Sequence, residues 1–304
     1  MSSLAALALL VGGVVLVVAG AELFFDGILG AAARLGVSAF ALTVVVSGLE
    51  LENQAAGLAA ALAGLDDAAA GTFLGGTTFL ALAVTGVGAL VAPLEARVPW
   101  VVLVWTAAAP APLLALSLDG QISRLDGGLL LVWFVVAMAG LWRSGRGLLT
   151  ADVERKRRVL LRVVGGLAVL TVAGELLAEG IQRAVAHFGI SEALLGNTAV
   201  AAGVEAEEIG RVAVPARRGR GDIGLGNVVG TIVHFAALNA GVIALVRPLD
   251  LGSESVRLHL PAAAVSPLVL VALLAWRGGI GRMPGGLLVG LYAAYVAVAI
   301  AVSA

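Results

Sequence analysis

Runs of about twenty apolar residues follow one another from residue 4 to residue 303, parted by short polar, glycine and proline clusters. That pattern constrains the fold more than any motif does. At 1.5 Å per residue, about twenty helical residues cross the ~30 Å of bilayer hydrocarbon. Lipid offers no partner to an open peptide group, so each run has to satisfy its own backbone. Composition agrees: the 304 residues are 60% hydrophobic and 13% charged, with a mean hydropathy of +1.05, whereas soluble domains are about half apolar. No stretch remains for a soluble domain. Residues 4–19 have the length of a signal-peptide core, but no basic segment precedes them and Glu22 and Asp26 follow, so a retained first helix is expected. With no cysteine, disulfides and thiolate metal sites are excluded. A formal net charge of −1 gives no global attraction to nucleic acid.

The fold class that follows is an all-α integral membrane protein. Breaks at polar, Gly and Pro clusters predict ten transmembrane helices, near 4–33, 37–63, 68–91, 98–117, 126–142, 157–187, 190–215, 222–246, 257–276 and 284–303. Basic residues then orient the bundle, because Lys and Arg are retained on the cytoplasmic side. Odd-numbered connections adjoin fifteen of the nineteen basic residues, including the segment from Arg143 to Arg162 and that from Arg211 to Arg220. Even-numbered ones adjoin only Arg124, Arg183, Arg247 and Arg257. Both termini are therefore expected outside, in a cytoplasmic (inner) membrane. Trp100, Trp142 and Trp276 near helix ends fit interfacial anchoring. The long polar connection "RSGRGLLTADVERKRR", 143–158, reads as a cytoplasmic linker held near anionic headgroups, with a lipid or regulator site as the alternative.

The chain also repeats itself. "GAELFFDG" at 20–27 parallels "AGELLAEG" at 173–180, which sets Glu22 over Glu175 and Asp26 over Glu179. "LGVS" at 35–38 parallels "FGIS" at 188–191, Thr43 and Gly48 match Thr198 and Gly203, and "GLELEN" at 48–53 matches "GVEAEE" at 203–208. Asp67 matches Asp222, and Gly71 and Gly75 match Gly226 and Gly230. The offset is 153, rising to 155 after an insertion of two. Five predicted helices separate equivalent positions, so the two halves should cross the membrane in opposite senses. This is the inverted repeat of secondary transporters, whose site lies at the midplane between halves. The expected units are helices 1–5 over 1–142, the basic linker 143–158, and helices 6–10 over 159–304.

Each half carries acids where a charge costs roughly 2.5–3.5 kcal/mol even on the lenient insertion scale. Glu50, Glu52, Glu205, Glu207 and Glu208 call for cations, protons or a basic partner, and Arg211, three residues beyond Glu208, can supply only one charge. On a helix, residues three apart share a face, so Glu50 points with Asn53 and Glu205 with Glu208, while Glu52 and Glu207 point away. Gly48 and Gly203 precede the clusters and permit a helix break that frees carbonyls for cations. All-oxygen ligation suits a hard cation such as Ca²⁺ or Na⁺, and three His without Cys argue against a soft metal. His234 reads as a packing residue, with proton transfer as the alternative. "GLGNVVG" at 224–230 has one glycine late for a dinucleotide loop and no strand before it; it reads as close helix packing.

In "GAELFFDG", "LGVS", "GDIGLGNVVG" (221–230) and the downstream "RPL" (247–249), the chain resembles the sodium/calcium exchanger family, within the calcium/cation antiporter superfamily. The likeness covers residues 15–90 and 168–248. It implies Ca²⁺ and Na⁺ ligands where the family carries G-T-S-L-P-E. Here Gly48 and Gly203 keep the glycine, Glu50 and Glu205 stand at the serine, and Glu52 and Glu207 at the proline. Glu208 keeps the central glutamate, which Asn53 replaces in the first copy. The family's G-N-x-x-G-S-N is kept in part by Gly226, Asn227, Gly230 and Thr231. In the first half Thr72 replaces the Asn and Thr77 falls at its final Asn, whereas Ile232 falls at that position in the second.

The resemblance implies exchange of Ca²⁺ for Na⁺ across a lipid bilayer, with inorganic cations as the transported partners and no cofactor. The doubled glutamates leave open a cation/H⁺ exchanger of the same fold, since crowded acids share protons. A non-transporting sensor is compatible with the Ile232 departure. An intramembrane metalloenzyme using the glutamates and His234 lacks HExxH and any nucleophile constellation.

Overall fold

The computed structural model describes residues 3–46, 51–145, 158–185 and 206–303, and over these the protein is helical apart from four two-residue strands. The helices are α1 (Ser3–Leu35), α2 (Ala39–Val46), α3 (Leu51–Leu62), α4 (Asp66–Val91), α5 (Trp100–Leu116), α6 (Arg124–Gly145), α7 (Val159–Val185), α8 (Ala206–Arg217), α9 (Gly221–Val246), α10 (Ser255–Arg277) and α11 (Arg282–Ser303). Among the described residues, seven are long and apolar enough to cross a membrane: α1, α4, α6, α7, α9, α10 and α11. Every described helix overlies one of the predicted segments and overruns its bounds by three residues at most. The region 37–63 appears as α2 and α3, and the intervening 47–50 lie outside the described residues. The segment 98–117 turns at Pro110, which caps its second piece, Ala111–Leu116.

α4 and α9 form the centre, with 78% and 83% of their spans buried against 11% in α11. Both interrupt their α-hydrogen bonding with a π turn, at Leu80–Val84 and His234–Asn239. Such single turns often mark functional regions of helices.

α1 and α7 run antiparallel. A Cβ at Gly13 would stand 2.6 Å from Leu177, one at Gly20 3.0 Å from Leu170, and one at Gly27 2.7 Å from Val163. From the other side, Gly166 faces Phe24 and Gly180 faces Leu10. Small residues seven apart on each helix let the two backbones approach, the usual device where lipid supplies no hydrophobic drive between helices. At one end of the pair, Asp26 faces Arg162 at 3.6 Å and Arg218 at 3.3 Å, and Glu22 faces Arg218 at 3.1 Å.

Several contacts occur twice, with one partner displaced by 155 residues, as in the sequence repeat, and the other by 158. Strand β1 (Leu94–Glu95) pairs antiparallel with β4 (Gly279–Ile280), and β2 (Gln121–Ile122) with β3 (Leu249–Asp250). Leu94 faces Ile280, and Leu249 faces Ile122. Gly86 packs on Gly285 and Gly241 on Gly127, each within about 3 Å of the partner's carbonyl if given a Cβ. The edge-to-face pair Phe79–Tyr292, at 5.2 Å, has its counterpart in His234–Phe134, at 4.9 Å. Arg247 of the "RPL" stretch donates to the Ala61 carbonyl and lies 3.3 Å from Asp66, so it ties the end of α9 to the turn between α3 and α4.

Candidate cation site

The acidic residues of α8 sit against the first half of α9. Glycine makes that approach possible: a Cβ at Gly224 would lie 2.9 Å from the Val212 carbonyl oxygen, and one at Gly226 would lie 3.1 Å from that of Phe40. At Gly230 a Cβ would collide with the Val44 carbonyl of α2. The "GLGNVVG" stretch is therefore a packing face, as its sequence suggested. On it, Asn227 is fully buried and donates through Nδ2 to Oε2 of Glu208.

Glu208 is 1% exposed and Glu207 4%. Both are engaged by Arg211, itself 3% exposed. Its Nη1 donates to Glu208 Oε1, and its Nη2 reaches Glu207 Oε1 at 2.5 Å. The planar fork of the guanidinium spans carboxylates three and four residues back on one helix. Two readings of the sequence are corrected here. Glu207 does not point away from Glu208, because the long arginine side chain gathers both. Nor does Arg211 belong with the basic residues of a cytoplasmic connection. It stands inside the bundle, with its guanidinium 5.8 Å from the centre of the Phe24 ring on α1. Without it the asymmetry of basic residues is fourteen against four. Glu208 lies nine residues before Arg217, or about 14 Å along the helix axis, close to half the hydrocarbon thickness.

The oxygen atoms around this cluster differ between the halves. In α4, Thr72 and Thr77 donate to the Ala69 and Phe73 carbonyls at 2.7 Å, and Thr78 to Leu74 at 3.0 Å. Their hydroxyl oxygens keep lone pairs for a cation, but their protons are spoken for within the helix. In α9, Asn227 Oδ1 and Thr231 Oγ1 are buried with no hydrogen-bond partner among the described residues. Buried polar atoms are usually satisfied. Asn227 holds the buried carboxylate of Glu208, and Thr231 stands one turn further along the same face of α9, so the two unsatisfied oxygens extend a donor set suited to a hard cation.

Of the residues picked from sequence, Glu207, Glu208 and Asn227 are brought together. Thr77 is buried on α4, and Asn53 is half-buried near the start of α3. Glu52 lies in α3 with its side chain outside the described set, and Glu50 and Glu205 lie outside the described residues. His234 is buried, its Nδ1 2.8 Å from the Gly230 carbonyl and its ring against Phe134. Phe79 occupies the equivalent place in α4, so the site accepts a ring that carries no proton. Thr231 was noted in sequence as keeping a family position; its unsatisfied burial is visible only in three dimensions.

A family model described as sodium/calcium exchanger protein matches residues 5–143 and 159–301. The chain is 30% identical to the inner membrane protein YrbG of Escherichia coli strain K12, over 97% of this chain and 96% of that one. It is 28% identical to the putative antiporter CaxA of Alkalimonas amylolytica, over 86% and 88%. Its fold matches that of the sodium-calcium exchanger NCX_Mj soaked with Na⁺ and Sr²⁺, with a TM-score of 0.82, 23% identity, and coverage of 97% and 99%. Proteins of this family are transporters rather than enzymes, and the apolar spans make this one a multi-pass membrane protein. By the match along nearly its full length, the chain belongs to the sodium/calcium exchanger protein family.

Proposed function

We propose that the chain is a secondary active antiporter of the inner membrane that exchanges Ca²⁺ for Na⁺ by alternating access. The observation that carries this reading is the buried Glu208–Asn227 pair, in which Oδ1 of Asn227 has no hydrogen-bond partner among the described residues. A carboxylate at mid-membrane, supplied with neutral oxygen donors, is what a site for a hard cation requires. The ligand set is Glu50, Glu52, Asn53, Thr77, Glu205, Glu207, Glu208 and Asn227, drawn from both acidic clusters. The printed names of its relatives support the reading, among them a putative antiporter and the sodium/calcium exchanger MaX1 of Methanosarcina acetivorans. YrbG, named an inner membrane protein, supports the location.

The architecture that serves this function is ten helices in two inverted repeats, 1–142 and 159–304, joined by the cytoplasmic linker 143–158, with both termini outside. Antiparallel packing of α1 on α7 supports opposite senses for the two halves. Contacts that occur twice at equivalent positions support a pseudo-twofold relation. Two halves alike in shape but opposed in direction can exchange conformations and so open one site to either side.

The test is Ca²⁺ uptake into proteoliposomes under an outward Na⁺ gradient. Uptake that follows a pH gradient and ignores Na⁺ would replace this reading with the cation/H⁺ exchanger. The gathering of five glutamates in two acidic clusters is what favours that second reading.

A further inference from the structure

We infer that Arg211 is a resident cation of the transport site, which a transported ion has to displace from Glu208. The inference rests on the reading of Glu208 as a cation ligand given above. Arg211 is buried as deeply as the acids it touches, and it divides its two terminal nitrogens between Glu208 and Glu207. Its guanidinium therefore sits where an inorganic cation on Glu208 would be electrostatically required. Against these two carboxylates the guanidinium supplies one positive charge.

A buried arginine of this kind is a weak source of stability. Removing charges from water costs about what their attraction returns, so a folding role alone gives little reason to keep it. The equivalent position in the first half is Ala56, so the fold does not need an arginine there. Asn227 bears on the same point. It holds Glu208 through Nδ2 while Oδ1 has no hydrogen-bond partner among the described residues. An oxygen without a partner, beside a carboxylate already holding a guanidinium, describes a site whose positive charge is lent by the protein and whose neutral ligands await another ion.

The consequence is a sign pattern that a structural role does not produce. Glu207→Gln takes away one of the two carboxylates that share Arg211 in the structure, so the competitor leans harder on Glu208 and Ca²⁺ binding weakens. Arg211→Gln removes the competitor, and binding tightens by about tenfold or more, the scale expected for one close charge partner. Glu207→Gln with Arg211→Gln removes one charge of each sign, so it leaves no buried charge unpaired by the change. It should fold even where Arg211→Gln does not, and it should bind Ca²⁺ more tightly than Glu207→Gln by a similar factor.

The experiment is calorimetric titration of the purified full chain in detergent, with Ca²⁺ and with Na⁺ separately, on the wild type and these variants. Weaker binding in Glu207→Gln, recovered or exceeded in the double variant, supports the inference. Equal binding in the single and double variants overturns it, whether or not Arg211→Gln folds. If the wild type binds neither ion, the reading of Glu208 as a ligand fails first and takes this inference with it.

Discussion

The amide of Asn227 donates to Glu208 across the contact between α9 and α8, and this bond fixes which way the carboxylate faces. The other carboxylate oxygen is held by Arg211, so Glu208 is oriented from two sides while fully buried. Asn227→Ala removes one holder and one neutral oxygen ligand together. Hydrogen bonds to charged groups are worth about 1.5–3 kcal/mol, which converts to about 10- to 100-fold in an equilibrium constant. Asn227→Ala should weaken half-saturation of Ca²⁺ flux within that range, while Glu208→Gln should abolish flux and leave the protein folded. Wild-type flux in Glu208→Gln would remove this residue from the site.

His234 leads to the opposite expectation. Its ring packs edge-on against Phe134 just as Phe79 packs against Tyr292, and its Nδ1 is occupied by the Gly230 carbonyl. His234→Phe keeps the aromatic contact and loses only a helix-internal hydrogen bond, worth about 1 kcal/mol. Transport and its pH profile should survive. A flattened pH dependence in that variant would make His234 a proton carrier and shift the reading toward cation/H⁺ exchange.

Orientation gives a third prediction. Ser253 and Arg217 are both exposed, one between β3 and α10 and the other at the end of α8. Cysteines placed singly at these positions should react with an impermeant thiol reagent from outside and from the cytoplasmic side respectively. The chain has no native cysteine to confuse the result. Labelling from the same side would contradict the assignment of odd-numbered connections to the cytoplasm.

The helices were legible because lipid demands long apolar runs, and the repeat was legible because acids such as Glu22 and Glu175 stand out against them. Arg211 was misread for a physical reason. Counting basic residues near helix ends treats each as solvated, and only the packing of α8 on α9 shows that this one turns inward onto Glu207 and Glu208. The π turns at Leu80–Val84 and His234–Asn239 leave no periodic trace, since they shift backbone hydrogen bonds without altering which residues are apolar. The seven-residue spacing of Gly13, Gly20 and Gly27, set against Gly166, Ala173 and Gly180, was in plain view. It is the pattern of a close antiparallel helix pair.

A final prediction concerns how the acidic helices are seated on the central ones. A Cβ added to Gly88 of α4 would stand 2.5 Å from Cγ1 of Val212 on α8. At the equivalent place in the other half, a Cβ on Gly57 of α3 would stand 2.5 Å from Cδ1 of Ile243 on α9. Large and small have changed sides: Gly57 is the counterpart of Val212, and Ile243 that of Gly88. Each interface keeps one glycine and one branched residue, so the volume is conserved while the residues are not. Overpacking such a contact typically costs about 1–3 kcal/mol. Gly88→Ala should therefore lower the thermal midpoint in detergent, and Val212→Ala in the same chain should restore most of it, because the deleted methyls make room for the added one. Gly57→Ala with Ile243→Ala should recover less, because the added Cβ would also stand 2.7 Å from Oγ1 of Thr72. Contacting residues couple and distant ones add, so crossing the pairs, Gly88→Ala with Ile243→Ala, should give only the sum of the two losses. Plain additivity within the matched pairs would show that these side chains do not set the spacing of α8 on α4 or of α3 on α9.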